Sequence, residues 1–278
     1  MQISVSRVER PPVHRGNGQV MAKRVVIGTD DMRSISPFLR LSEDWFAAPG
    51  GFETHPHRGM QTVTFVLEGA LHHRDHTGAD GVLHAGDVQW MTAGRGVLHS
   101  EMPHEDELAH TLQLWLNLPS HLKMIAARYV DQRADTVPVR VADGAELRVY
   151  AGKSGEISHP HGSDWPMMLV EIRLKSDARI EHEIPGDWRG FVYVLEGKGA
   201  LGATAREVEA PDIAWFEPSP KAGEIASLQI SAESEFRALL IAGPPIDEDV
   251  VAYGPFVMNT PDEIRQAFMD YQNGRLTG

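Results

Sequence analysis

The sequence predicts an all-β protein built from two copies of one antiparallel β unit, with a helix at its C-terminal end. Three observations carry that reading. Short runs rich in Val, Leu, Ile, Thr and Trp, such as TVTFVLEG, HTLQLWLNLP, MMLVEIRL and RALLIAG, alternate with turns punctuated by 26 glycines and 18 prolines, the rhythm of a sandwich or barrel. The chain also repeats itself: FVLEG ends at Gly69 and YVLEG at Gly197, GDVQW ends at Trp90 and PDIAW at Trp215, so two marks recur in the same order. Helical periodicity, finally, is confined to two stretches.

Taken in order, residues 1–131 are expected to form the first unit and residues 132–278 the second together with the terminal helix. HLKMIAARYVD (121–131) reads as a helix between the halves. In NTPDEIRQAFMDYQNG, Thr260 can cap, Pro261 suits the first helical position, Glu263 completes a capping box and Gly274 stops the helix. Ile264, Ala267, Phe268 and Tyr271 recur at three- and four-residue steps, so one face should dock on a barrel.

Composition narrows the chemistry. A formal charge of −13 repels phosphate backbones and argues against direct nucleic-acid binding. With no cysteine there is no disulfide, thiolate ligand or cysteine nucleophile. No signal-peptide core or long uncharged apolar run is found, so a cytoplasmic protein without membrane attachment is expected. Nucleophile elbow, Walker loop and dinucleotide fingerprint are absent, which leaves hydrolase, kinase and Rossmann readings unsupported.

The repeat singles out a site. Counting from the VLEG glycines, His55 and His57 in copy one match Glu183 and Pro185 in copy two, with His182 one step out of register. Counting from the tryptophans, His99 and Glu101 match Glu224 and Ala226. Residues i and i+2 of a strand face the same way, so H-x-H and H-x-E make two pincers able to close on one ion. Three imidazoles and a carboxylate suit a divalent transition metal. Alone, an H-x-H pair is more often structural than ligating; the second motif at strand–turn–strand distance narrows the choice. His72, His73 and His76 near a turn read as solvated or supporting residues. Arg58 reads as pairing with a carboxylate or guarding the pocket mouth, or else as an ordinary surface ion pair, and Gln113, on the strand face of Thr111 and Trp115, as a cavity-lining residue or a cross-strand contact. Trp90 and Trp215 read as packing, and DEDV (247–250) as a solvated face.

HPHRG, the following EG-x-LxHRD, GDVQWMTAGRGVLHSEMP, LQLWLNLP and, in the second half, ALLIAGPPIDEDVVAYGPFVMNT together resemble the pirin family of the cupin superfamily over roughly residues 5 to 276. The resemblance implies a bicupin: two antiparallel β-barrels of jelly-roll type, with one mononuclear metal in the first held by His55, His57, His99 and Glu101. The usual cupin glutamate of the first motif is replaced by Thr62, and the second motif reads Thr92, Ala93, Gly94 where PxG is common. Both departures are pirin-like. It further implies a quercetin 2,3-dioxygenase-like oxidoreductase, with iron first and nickel, copper, manganese or zinc as alternatives. Its substrates would be a flavonol-like aromatic and O2, with Glu101 as general base. The other reading is a metal-binding regulatory protein that meets a protein partner. A monomer is expected.

Overall fold

The computed structural model describes residues 1–28, 32–105, 107–160, 162–218 and 223–278. Strands make up most of it, as the punctuation predicts, and they form two units of like design. The first unit comprises Pro12–Asp135, Gly162–Asp164 and Ile246–Gly278; the second comprises Met1–Pro11, Thr136–His161 and Trp165–Pro245. A single cut near residue 132 therefore falls close to the main crossing, but both termini exchange.

Each unit is a jelly roll of two sheets. In the first, a seven-stranded sheet runs Arg128–Gln132, Val88–Thr92, Met60–Glu68, Ala109–Asn117, Phe38–Phe46, Ala22–Ile27, Val13–Arg15. It is accompanied by a four-stranded sheet running Phe52–His57, Val97–Pro103, Ala70–Asp75, Asp80–His84. The second unit pairs an eight-stranded sheet with a four-stranded one, Arg179–Pro185, Ile225–Ala232, Lys198–Leu201, Arg206–Glu209. The VLEG glycines have a physical reason to recur. Gly69 (φ 71°) and Gly197 (φ 80°) turn in the left-handed region, and a Cβ would lie 1.7 Å from the Leu108 carbonyl oxygen or 1.9 Å from that of Glu235.

The expected helix at 121–131 does not form. Only a 3₁₀ turn at Ser120–Leu122 is present, and Arg128–Gln132 is an edge strand with Tyr129 opposite Met91 and Val130 opposite Trp90. Tyr-Val suits a half-buried pleat, and pairing along the open edge outweighs the modest helix propensity of the segment. The buried Lys123 ends the turn, its Nζ donating to the carbonyls of Gly59 (2.8 Å) and Val257 (3.1 Å) and to Asn117 Oδ1 (2.6 Å).

The C-terminal helix, Pro261–Gln272, has the expected Thr260/Glu263 capping box and buries Ile264 and Ala267. It packs on Phe256, Met258 and Leu276 in the first unit rather than belonging with the second half. No helix is long and apolar enough to cross a membrane among the described residues.

Candidate metal centre

Strand Phe52–His57 lies antiparallel to Val97–Pro103, which sets His55 directly opposite His99 and His57 opposite Val97. A bulge between His99 and Glu101 places Glu101 opposite Phe52 on one side and His73 on the other. One ligand atom from each of His55, His57 and His99 lies within 4.8 Å of the other two. Glu101 is not in that mutually close group.

The outward-facing ring nitrogens are occupied. His55 Nδ1 meets the Glu53 carbonyl at 2.8 Å and His57 Nδ1 the Pro255 carbonyl at 3.3 Å. A carbonyl only accepts, so both Nδ1 atoms carry the proton and both Nε2 atoms keep a lone pair. His99 Nδ1 lies 3.1 Å from His73 Nε2. Donation from His99 in that pair frees its Nε2 in the same way.

Nε2 of His57 and of His99 is buried and has no hydrogen-bond partner in the protein. Leaving a buried polar atom unmet costs about 1–3 kcal/mol, so two aimed at one point call for a common occupant. Burial first, and neighbouring His55 second, hold His57 down to about 3. Burial followed by the other imidazoles keeps His99 well below its ordinary range. Both rings are therefore neutral and available as donors. An all-nitrogen triad with its outer nitrogens anchored fits a divalent transition metal and matches the usual support of metal-bound histidines.

Glu101 sits beside this triad with its carboxylate held by neighbours. Oε2 accepts from Gln113 Nε2 at 2.7 Å, and Oε1 accepts from Thr64 Oγ1 at 3.1 Å. Gln113 is itself steered by Trp115, whose Nε1 donates to Gln113 Oε1 at 2.9 Å. Gln113 thereby aims Glu101. Trp115 also stands edge-on to His57, with ring centroids 5.2 Å apart.

The three histidines of LHHRDHTG separate. His73 is buried against His99 and Tyr129, which makes it the supporting residue. His72 pairs outward with Asp80 at 2.6 Å, and His76 Nδ1 accepts from the Leu98 amide at 3.3 Å. Strand alternation tells that His72 and His73 part, but only the register opposite Glu101 tells which one turns inward.

Arg58 pairs with a carboxylate, as one reading has it, but not at the surface. It is buried and donates through Nη1 to Asp270 Oδ2 at 2.7 Å, through Nη2 to the Leu276 carbonyl at 3.1 Å and through Nε to the Arg95 carbonyl. The Val257 amide donates back to the Arg58 carbonyl at 3.0 Å. At Gly59 (φ 78°) a Cβ would come within 2.0 Å of the Val257 carbonyl oxygen, so the turn after the first pincer needs glycine to accept this brace. The C-terminal segment thus backs the H-P-H-R-G turn directly, a long-range relation with no local sequence signal. Trp90 and Trp215 are buried packing residues, as expected. In DEDV, Asp247 and Asp249 are exposed as expected, while Glu248 accepts from the Ser120 amide at 2.7 Å.

The second unit corrects the repeat count on both strands: Leu228 and Ile230, not Glu224 and Ala226, stand where His99 and Glu101 do, and the count before the VLEG turn is off by one. Two residues separate the strands at His57 and Met60, but three separate Pro185 and Arg189, so strand positions before that turn shift by one. His182, not Glu183, then stands where His55 does, and it is fully buried while Glu183 faces out. His182 pairs across to Leu228 as His55 pairs to His99, and Ile184 takes the place of His57. No three-residue ligand group forms there among the described residues.

Comparison with known proteins agrees with this architecture. A family model described as Pirin matches residues 20–116, and one described as Pirin C-terminal cupin domain matches residues 169–277. The chain is 39% identical to a pirin-like protein of Solanum lycopersicum, across 99% of this chain and 92% of the relative. It is likewise 39% identical to pirin of Homo sapiens, across 90% of this chain and 86% of the relative. Among solved structures, a quercetin 2,3-dioxygenase from Acinetobacter baumannii superposes with a TM-score of 0.89 at 30% identity, covering 99% of this chain and 98% of that one. With both family domains matched and the histidine triad in the first jelly roll, the chain belongs to the pirin family.

Proposed function

We propose that the protein is a cytoplasmic, monomeric, metal-dependent dioxygenase that opens a flavonol or similar aromatic with O2, using iron first among the candidate metals. The observation that carries this reading is the convergence of buried, unpartnered imidazole nitrogens whose opposite nitrogens are anchored. Similarity to the A. baumannii quercetin 2,3-dioxygenase supports it.

In this reading His55, His57 and His99 hold the metal, with Glu101 as a fourth ligand or as the base beside it. When bound, the metal acidifies a substrate hydroxyl and brings substrate and O2 together. Glu101 takes the hydroxyl proton on a carboxylate oxygen that Gln113 and Thr64 keep oriented. Trp115 supplies a flat wall for an aromatic ring next to His57. Burial of His57, His99 and Glu101 restricts water around the reacting group.

The test is protein loaded anaerobically with iron, nickel or copper, given quercetin and oxygen, while loss of the flavonol absorbance is followed. His57→Ala should abolish turnover. Turnover by that variant at the parent rate refutes catalysis at this site. Failure of every metal form, together with metal-dependent binding of a defined protein partner, moves the assignment to the regulatory reading.

A further inference from the structure

Beside the metal centre, across Trp115, lies a cation that takes no part in the proposed reaction. Arg40, in strand Phe38–Phe46, stands directly opposite Trp115, so their side chains share a sheet face. Its guanidinium carbon lies 5.5 Å from the centroid of the Trp115 ring, which in turn packs nearly perpendicular to His57 with centroids 5.2 Å apart. Trp115 faces the site, since its Nε1 continues the Gln113–Glu101 chain. Arg40 is therefore one indole ring from the triad, on the same side.

Two properties separate Arg40 from an ordinary surface arginine. It is only half-exposed, and no carboxylate pairs with it among the described residues. In a chain with 39 acidic side chains against 26 basic ones, a partly desolvated arginine has many possible acidic partners. Nearby, the carboxylates of Glu43 and Asp44 are taken by Arg24 with His110 and by Lys23 respectively. A guanidinium presents five donors suited to a carboxylate, and stacking on Trp115 leaves its edges free to donate. In the second unit, which lacks the triad, the residue paired in the same way is Met168, opposite Ala242.

We infer that Arg40 is a specificity residue: the aromatic that binds at the metal centre carries a second, anionic group, a carboxylate, about one ring away from the oxygens directed at the metal. This rests on the triad being a metal-dependent substrate site. Neutral flavonols would then be accepted without engaging Arg40, and aromatic hydroxy acids would be preferred.

The experiment uses full-length protein loaded with nickel and three probes: catechol, 3,4-dihydroxybenzoate and its methyl ester. The acid and the ester share the vicinal diol and differ in charge. Titration calorimetry measures affinity, and the visible nickel bands report whether the diol reaches the metal. The parent should bind the acid about tenfold or more tightly than the ester. Arg40→Met should erase that preference while leaving ester affinity, nickel content and circular dichroism unchanged; Arg40→Lys should retain part of it.

Equal affinity of acid and ester in the parent overturns the proposal, as does a preference that survives Arg40→Met. If the acid binds in an Arg40-dependent way without moving the nickel bands, the anion site stands and the metal-site reading falls. If no probe binds, both fall.

Discussion

The two jelly rolls share their repeat marks and strand order, yet their interiors are filled with opposite chemistry. Strand pairing aligns them position by position. Gln113 lies opposite Thr64 as Leu240 lies opposite Val192, and Glu101 opposite His73 as Ile230 lies opposite Leu201. With His57 matched by Ile184 and His99 by Leu228, six polar positions of the first unit become six aliphatic ones in the second. All six aliphatics sit in one continuous core that also contains Leu147, Val170 and Phe236. Among the described residues, the second unit buries four polar or charged side chains, Ser154, Glu171, His182 and Asp212, against twenty in the first. The fold therefore does not require the site. The second unit shows what this scaffold becomes when hydrocarbon fills it, and the first shows what must be added to keep a polar interior in place: Nδ1 anchors, a steered carboxylate, and the brace from Pro255, Arg58 and Asp270.

Replacing a ligand by its second-unit counterpart should have the largest effect. His57→Ile or His99→Leu should lower metal affinity by more than the ~100-fold that changes around a ligand cost. In a thermal melt the parent should gain about 2.7 kcal/mol from metal at 100 times its dissociation constant, and these variants almost nothing. Elemental analysis and melts with and without metal check this. Retention of a full equivalent of metal by either variant would break the contrast between the two interiors.

His182 sharpens the same contrast from the other side, because it is the one imidazole of the aligned set that the second unit keeps. Neither ring nitrogen has a well-formed hydrogen bond, and burial, only partly offset by the Glu183 backbone, holds the group down to about 4. Unfolded, it would take a proton near 6.5. Between those values the unfolded chain binds the proton and the folded chain does not, so stability falls as pH drops from 6.5 toward 4. At ~1.4 kcal/mol per pH unit the loss amounts to roughly 3 kcal/mol. His182→Leu should remove this part of the acid dependence and stabilise the protein at neutral pH by about 1–3 kcal/mol, the cost of the unmet polar atoms. Urea titrations of metal-free protein at several pH values decide it; parallel pH curves for parent and variant would show that His182 is not protected from protons.

How much of this was legible depends on range. Strand alternation and the VLEG and Trp marks are local, so the β architecture, the triad and the capped terminal helix can be read directly. A repeat count is less safe where turns differ. The extra residue in Gly186–Trp188 slides the register by one and exchanges His182 with Glu183, a change that turns a side chain from one face to the other. The strand at Arg128–Gln132 depends on an edge offered by Val88–Thr92, and propensity alone does not see that edge. His73, Gln113 and Arg58 carry ordinary local signatures. Their roles come from partners 26, 12 and 212 residues away, which no short motif contains.

His73→Leu tests the anchor on His99. Loss of the partner at 3.1 Å leaves His99 Nδ1 unmet and its ring free to tilt. Metal affinity should fall about 10–100-fold, with the fold intact because leucine is what the second unit carries at the matching Leu201. A shift in the absorption bands of the cobalt-loaded variant should accompany the loss. Unchanged bands and affinity would reduce the His73–His99 contact to packing.

The smallest effect should come from Thr64→Val, which again installs the second unit's residue, at nearly constant volume. It removes one of two donors to Glu101, the longer one at 3.1 Å, and leaves Gln113 at 2.7 Å. Metal content should not change, because the triad lies outside this hydrogen bond. If Glu101 moves the substrate proton, its orientation is what the hydroxyl helps to set. Loosening it should cost kcat about three- to tenfold, roughly 1 kcal/mol, with little change in KM. Gln113→Leu, which removes the shorter bond and the link to Trp115, should cost more. A Thr64→Val variant with lowered metal content and unaltered turnover per bound metal would reverse the assignment, making Glu101 a ligand whose chief duty is to hold the ion.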